Sequence, residues 1–516
     1  LSFTSDPRNF EPALQQLRTE IDLPFLWELA EEQAQWTLDN LTNLYFGSHE
    51  LIQKLALLLA ISEPAIYFSA LGEQNFKRCG SEEIAMRQLQ IQRQQEYQAK
   101  FDALYEQLYN LQKPDWKIDP INLINKPDKN SLEYKVVSKV TKDLKLTLLE
   151  LLFKLGYISS IENLLVTSFH KQYFPHGSEL PALEINDHAS DIPFNQTLKV
   201  FSIDDALTTE IDDAFSLQAT DTGWIVGVHI SAPSLNKELL TLASERLSTV
   251  YYPGHKITML PENVIAHYSL DQGKQLPVVS IYFTIDHEFN ISHTESKLEQ
   301  VLVSDNLRTE NLEQLFNVEN MAQDHDYPYE AELKLLHQFA LKLEEGRGKA
   351  SVNQLSVDYN FSFAEDGKVV IKPRLRGNPI DKLVSELMIH ANGSCGRMLT
   401  NAFVPAIYRV KQPMQPVTMT LTPNSHTGLN VDYYTWATSP LRRAVDLVNQ
   451  AQIISLITKQ KPLSATDFAM ANVVENFDET YSAYLKFQDS VERYWSLRYL
   501  EQENIHQIKA TFTYRN

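Results

Sequence analysis

The chain has 516 residues, more than one ordinary core organises, so two to four domains is the starting expectation. Hydrophobic residues make up 43% and charged residues 22%, which excludes disordered and coiled-coil classes. The formal charge of −20 argues against an overall basic footprint for nucleic acid, yet leaves room for a basic channel inside an acidic exterior.

No apolar run approaches the roughly 18 residues that span a bilayer, so no membrane association is expected. The first residues, Leu1-Ser2-Phe3-Thr4, show neither a basic nor an apolar signal region, and the absence of an initiator Met reads as trimming. Two cysteines, Cys79 and Cys395, form neither a disulfide framework nor a metal-ligand spacing. A reducing cytoplasm is the expected location.

Residues 1–80 read as short helices, with Ser48 as N-cap of a helix carrying Leu51, Ile52, Leu55, Leu58 and Leu59 on one face. Ser81, followed by Glu82 and Glu83, reads as the cap of a long helix over 81–112, rich in Gln, Arg and Glu. Its apolar residues, Tyr97, Phe101, Leu104 and Leu108 among them, follow a helical stripe only roughly, and a spacer is the first reading, ahead of a direct RNA contact. Three prolines between Lys113 and Lys129 mark a linker. Residues 130–180 read as a second small unit, helical or winged-helix, with helices over 144–155 and 160–170 about a turn at Gly156.

From about Asn195 the pattern turns to strands, at 198–203, 224–230, 278–285 and 369–371, then to long helices at 380–400 and 441–457. An α+β domain of about 300 residues is expected, an antiparallel sheet packed by helices and preceded by a helical, helix-turn-helix-like region.

Five acids crowd ten positions: Asp204, Asp205, Glu210, Asp212 and Asp213. They are threaded with Phe201, Ile203, Leu207, Ile211, Ala214 and Phe215, unlike a solvated acidic turn. Buried neighbouring carboxylates repel, and a cation relieves the repulsion. Oxygen ligands without His or Cys favour Mg²⁺ or Mn²⁺, which serve phosphodiester hydrolysis. The residues alone leave both a metal site and a surface acidic loop open.

The string from Ile203 to Asp213, followed by Val226-Gly227-Val228-His229-Ile230-Ser231, resembles the first signature of the ribonuclease II / ribonuclease R (RNB-domain) family. Tyr251-Tyr252-Pro253-Gly254 with Met259-Leu260-Pro261 resembles that family's Y-x-P-G…M-L-P loop. Leu383-Val384-Ser385-Glu386-Leu387-Met388-Ile389-His390-Ala391-Asn392 resembles its L-V-E-E-x-M-I-x-A-N helix, and Thr438-Ser439-Pro440-Leu441-Arg442-Arg443, running to Asp446, its T-S-P-I-R motif. The resemblance covers about 195–505.

It implies a Mg²⁺-dependent hydrolytic 3′→5′ exoribonuclease that degrades single-stranded RNA to nucleoside 5′-monophosphates, acting as a monomer. Asp204, Glu210, Asp212 and Asp213 match the metal and catalytic acids, with Glu210 standing where the motif more often has Asp; Asp205 is an extra neighbour. Arg442 matches the arginine on the scissile phosphate, where a planar charged fork suits the developing charge. Tyr251 matches the aromatic stacked on the 3′-terminal base, and Glu386, Arg443 and Arg246 are further RNA contacts.

Three departures qualify the match. Ser385 replaces the first Glu of the helix motif, which points to selectivity for RNA over DNA that is relaxed or carried elsewhere. Asn353 falls where a second stacking aromatic is expected. The last residues, 506–516, read as the cut-off start of an S1 barrel. The alternative is an RNB-fold protein that binds RNA with weak or no turnover.

Overall fold

The computed structural model describes residues 7–32, 35–72, 74–116, 119–186, 189–206, 208–321, 326–348 and 356–508. Asn353 and residues 509–516 therefore lie outside the described residues. The chain divides into two compact units, Leu1–Ser160 and Ile161–Asn516.

The first unit opens with α1 (Pro7–Glu20), α2 (Leu23–Leu29), β1 (Trp36–Thr37), α3 (Leu38–Phe46), α4 (Leu51–Ser62), β2 (Phe68–Gly72) and β3 (Asn75–Arg78). The strands form a sheet in the order β1-β3-β2, so helices lead into a β-hairpin wing. Leu26, Leu41, Leu57 and Phe68 are fully buried between helices and sheet; each contributes about 1.5–3 kcal/mol by leaving water. Gly47, at φ 67°, ends α3 in the left-handed conformation that a side chain resists. Glu50 and Gln53 cap α4 reciprocally; Ser48, expected as its cap, lies two positions too early and bonds the Gln53 side chain at 2.5 Å. Ser81 likewise already occupies the first turn of α5 (Ser81–Tyr109), and Gly80 is the N-cap.

Beyond α5 come α6 (Asn122–Asn125) in the expected linker, α7 (Leu132–Leu144) and α8 (Leu148–Lys154). Leu108, Leu123, Val136, Val140 and Leu151 close a second core there. The division at residue 160 cuts the stretch 130–180 expected to form one small unit. The reason is aromatic: α9 (Ile161–Tyr173) stacks Phe169 on Phe487, 3.9 Å between centroids, far along the second unit. The wing lies in residues 1–80, not in 130–180.

The second unit is built on β4 (Val200–Asp204), β5 (Asp213–Thr220), β6 (Gly223–Ser231), α10 (Glu238–Arg246), β7 (Val250–Tyr252), β8 (His255–Ile257), α11 (Glu262–Tyr268), β9 (Gln275–Asp286) and β10 (Ile291–Arg308). Strands β10-β4-β5-β6-β9 close a barrel. Its pairs are antiparallel, as expected of the sheet, except at the closure, where β10 runs parallel to β4. The remaining elements are α12 (Thr309–Leu312), α13 (Glu330–Gly346), the hairpin β11 (Ser356–Phe363) and β12 (Val369–Arg376), α14 (Pro379–Asn401), the hairpin β13 (Tyr408–Lys411) and β14 (Val417–Thr420), α15 (Ala444–Ile457) and α16 (Phe468–Gln502).

Alternation along the strands separates two faces. Phe201, Phe215, Val228, Ile281 and Phe283 pack outward against Leu333 and Leu336 of α13 and Leu383 and Leu387 of α14. Val200, Ala214, Val278, Val301 and Val303 fill the other face, the lumen. His229 shares that lumen, its ring nitrogens each 2.8 Å from the hydroxyls of Ser280 and Ser216. A Cβ at Gly227 would come within 2.4 Å of Ser216 Oγ and 2.7 Å of His229 Nε2, so glycine is required to keep this bridge. No single helix among the described residues is long and apolar enough to cross a membrane.

Candidate active site

The acidic stretch is the connection across the barrel rim. Asp204 is the last residue of β4 and Asp213 the first of β5, with Phe201 opposite Phe215 setting their register. The interleaved apolar residues account for the depth of the stretch. Ile211 is buried, its amide donating to Ser269 Oγ (3.1 Å) and its carbonyl accepting from Leu270 N (3.0 Å). The acids are thereby drawn out of bulk water. Burial pushes Asp204 up to about 6, and one of its oxygens, Oδ2, is buried with no hydrogen-bond partner among the described residues. Burial, with the charges of Asp204 and Asp212 adding to it, pushes Asp213 up to about 8.

Asp212 and Glu210 are held differently. Asp212 Oδ1 accepts from Leu441 N (2.8 Å) and Oδ2 from Arg442 Nε (3.0 Å), although burial still raises its pKa to about 7. Arg442 Nη2 donates to Ser439 Oγ (2.8 Å). The loop carrying Arg442 is fastened by Asp446, whose Oδ1 accepts from Thr438 N and Ser439 N, both at 2.9 Å. Asn392 of α14 receives Ala437 N at 2.8 Å, so the helix motif and the T-S-P motif meet through one amide. Glu210 Oε2 accepts the Tyr251 hydroxyl at 2.5 Å, and Lys256 Nζ stands 3.8 Å from the same oxygen. Burial and the charge of Glu210 hold the Tyr251 phenol well above its ordinary pKa, while its ring stays 38% exposed and free to meet a ligand.

The structure thus brings Asp204, Glu210, Asp212, Asp213, Arg442 and Tyr251 together from segments more than 200 residues apart. Asp205 faces elsewhere, pairing with Arg374 Nη1 (2.8 Å) and Thr309 Oγ1 (2.7 Å). Arg374 also binds Glu313 (2.9 Å) and Asp381 (3.1 Å), tying the acidic loop to the start of α14. Arg443 lies beside the cleft, but its Nη2 holds Asp446 at 2.8 Å and its guanidinium covers Trp436. Glu386 is buried and bound by Arg347 Nη2 at 2.5 Å; burial raises its pKa even so. Ser385 is exposed, its hydroxyl on Lys382 O.

Arg246 is not brought to the acids. Its two Nη groups donate to Thr258 O (3.1 Å) and Ser178 O (2.6 Å) over the Phe174 ring, so the expected RNA contact is corrected to a buried brace. The sequence reading passed over Lys256, although it lies inside the Y-x-P-G…M-L-P loop, and Arg308, whose charge bears on Asp204. Nothing local marks Arg308, because only the parallel pairing of β10 with β4 sets it opposite Asp204.

Among the described residues no three acids, histidines or cysteines converge as a ready-made metal cage. The donor chemistry still fits a hard cation. Magnesium is commonly held by one or two carboxylates, its other positions left to water and substrate phosphate. Asp204 and Asp213, with raised pKa values and an orphaned oxygen, fit that role. Asp212 and Glu210, engaged by protein donors, fit it less well.

Comparison with known proteins places this geometry. The RNB domain model matches residues 195–422 and 410–459, just over half of the chain. An uncharacterized ribonuclease of Synechocystis sp. is 24% identical over 550 residues, covering 94% of this chain and 79% of its own. Exoribonuclease 2 of Actinobacillus pleuropneumoniae serotype 5b is 30% identical over 242 residues, covering 43% of this chain, and this chain spans about a third (35%) of that relative's length. Among solved structures, the Dss1 exoribonuclease of Candida glabrata superposes with a TM-score of 0.64 at 16% identity, covering 96% of this chain and 80% of that one. Apo RNase R of Mycoplasma genitalium gives 0.54 at 16% identity, covering 66% and 65%. At these identities the structural likeness speaks for the fold. The domain match, extending from before β4 through α15, establishes that the chain belongs to the RNB-domain family.

Proposed function

We propose that this protein is a Mg²⁺-dependent hydrolytic 3′→5′ exoribonuclease acting on single-stranded RNA and releasing nucleoside 5′-monophosphates. One observation carries the reading. Two under-compensated carboxylates, Asp204 and Asp213, stand beside an arginine that Asp212 and Ser439 hold in place. The names of the RNB relatives, exoribonuclease 2 among them, support the same activity.

Asp204 and Asp213 would hold the cation, which supplies positive charge to the scissile phosphate and activates the attacking water. Arg442 Nη1 carries no hydrogen bond to a described residue and is left for a phosphate oxygen, where charge grows in the transition state. Tyr251 offers a ring face to the last base while its hydroxyl stays on Glu210, which sets the distance from stacked base to acids. Lys256 adds a second cation on the Glu210 side.

A 5′-labelled RNA incubated with Mg²⁺ is expected to shorten stepwise from the 3′ end and to stay intact in EDTA. Intact RNA under both conditions, with binding retained, would replace this reading with that of an RNA-binding protein without turnover.

A further inference from the structure

The long helix α5, which the sequence first offers as a spacer, carries an unexplained surface. Tyr97, Phe101, Tyr105 and Tyr109 recur every four residues and form one stripe, about 18 Å long at 1.5 Å per residue. At 100° per residue, Asp102 borders the stripe, about 80° from its centre, while Arg93, Lys100, Glu96 and Glu106 all lie about 100° or more away, so the basic charge at the stripe comes from the neighbouring helix. Alongside, α7 presents Lys135, Lys139 and Lys142 on one exposed face, with Glu133 opposite.

The lysines sit on the rings. Lys139 Nζ lies 4.9 Å from the Tyr105 centroid and Lys135 Nζ 5.9 Å from that of Tyr97. Tyr105 stacks on Tyr109 at 5.6 Å, and its hydroxyl donates to Asp143 of α7 at 2.8 Å. Phe101 and Tyr105 pack partly into the core below, which explains their spacing. Core packing does not explain Tyr97 and Tyr109, which are 40% and 45% exposed, nor ammonium groups with no carboxylate partner among the described residues, in a chain of net charge −20.

From this face we infer that the α5–α7 surface is a second binding site, for single-stranded RNA, outside the catalytic acids. Exposed ring faces accept unpaired bases of any sequence, and a row of lysines tracks the phosphates. A duplex keeps its bases stacked inside and offers the rings nothing. The stripe has room for on the order of four nucleotides. The choice of RNA over DNA rests on the proposed function; the charge and the exposed rings do not.

The test uses the full chain in EDTA with a 30-nucleotide oligouridine, its binding followed by fluorescence anisotropy across a salt series. The double variant Lys135→Glu/Lys139→Glu is expected to bind about tenfold more weakly at low salt, with a salt slope shallower by about 1.4, two phosphate contacts' worth. Tyr97→Ala/Tyr109→Ala, at exposed positions that leave the core intact, is expected to lose about tenfold with the slope unchanged. Circular dichroism melts confirm that each variant is folded.

Affinity equal to the parent's in both variants overturns the site. So does a tyrosine effect of the same size on a duplex of equal length. Tight binding of polyglutamate with none of oligouridine also overturns it, in favour of an acidic protein partner. If the parent fails to shorten RNA in Mg²⁺ while both variants still weaken its binding, the catalytic proposal fails and this one stands.

Discussion

The two sides of the acid cluster are held in opposite ways. On one side Asp212 gives both oxygens to Leu441 N and Arg442, and Glu210 takes the Tyr251 hydroxyl. On the other, Asp204 keeps a buried oxygen without a partner among the described residues, and Asp213 faces like charges. The same ten-residue stretch thus contains a braced pair, part of the fold's internal bonding, and an open pair whose burial the neighbouring arginines do not offset. A folded protein tolerates an open pair at the cost of stability, and in the proposed function a divalent cation would supply the missing positive charge.

Neutralising the open pair breaks this contrast most sharply. Asp213→Asn should lower turnover on 5′-labelled RNA by about a thousandfold, on the scale of a lost catalytic-centre interaction. Above pH 8, where Asp213 is ionised, its melting temperature should hold or rise, because a repelling charge is removed. A fall of several degrees would place Asp213 in the braced pair instead.

Asp212→Asn tests the other side. Removing one partner of a buried ion pair typically costs about 3–5 kcal/mol. Arg442 keeps a partial exit to solvent, with 39% of its side chain exposed, so about 2 kcal/mol in denaturant unfolding is expected here, together with a loss of activity. Unchanged stability would mean that the brace is not structural.

Proton linkage gives a third, milder test. Folded carboxylates at about 6 and about 8 bind protons that the unfolded chain, near 3.8, has released. The metal-free protein therefore loses stability as pH rises from about 4 towards 8, the reverse of the usual carboxylate behaviour. Mg²⁺ must displace those protons, so its thermal stabilisation should be larger at pH 8 than at pH 6. Equal shifts at the two pH values would separate the cation from this pair.

The smallest effect is expected from Tyr251→Phe, which keeps the ring and removes the hydrogen bond to Glu210. A loss of about tenfold in kcat/KM, with KM carrying little of it, would fit a phenol that sets distance; a rise in KM alone would fit stacking only.

Much of the second unit is legible in its sequence. The strands around residues 200, 225 and 280 and the helices near 380–400 and 444–457 follow from alternation, length and punctuation. The first unit yields less. Its wing strands are short, and Ser48 and Ser81 look like caps because residue type alone cannot say which residue stands at the helix boundary. Arg246 and Arg442 are both arginines within the stretch 195–505 that the resemblance covers, yet one is stacked on Phe174 and the other faces the acids. Asp205 is as acidic as Asp204, and Arg374, 169 positions later, turns it away.

By itself the sequence determined the kinds of groups present and their local order: an acid stretch threaded with apolar residues, a tyrosine loop, an Ala-Asn helix and a Ser-Pro-x-Arg turn, enough to mark an RNB-type chain. Only the tertiary structure decided which of these groups are satisfied and which are left open. Hydrogen bonding and burial depend on partners supplied by strands and loops far away in the chain, the parallel closure of β10 on β4 and the Leu441–Arg442 turn above all. Neither leaves a trace in local spacing.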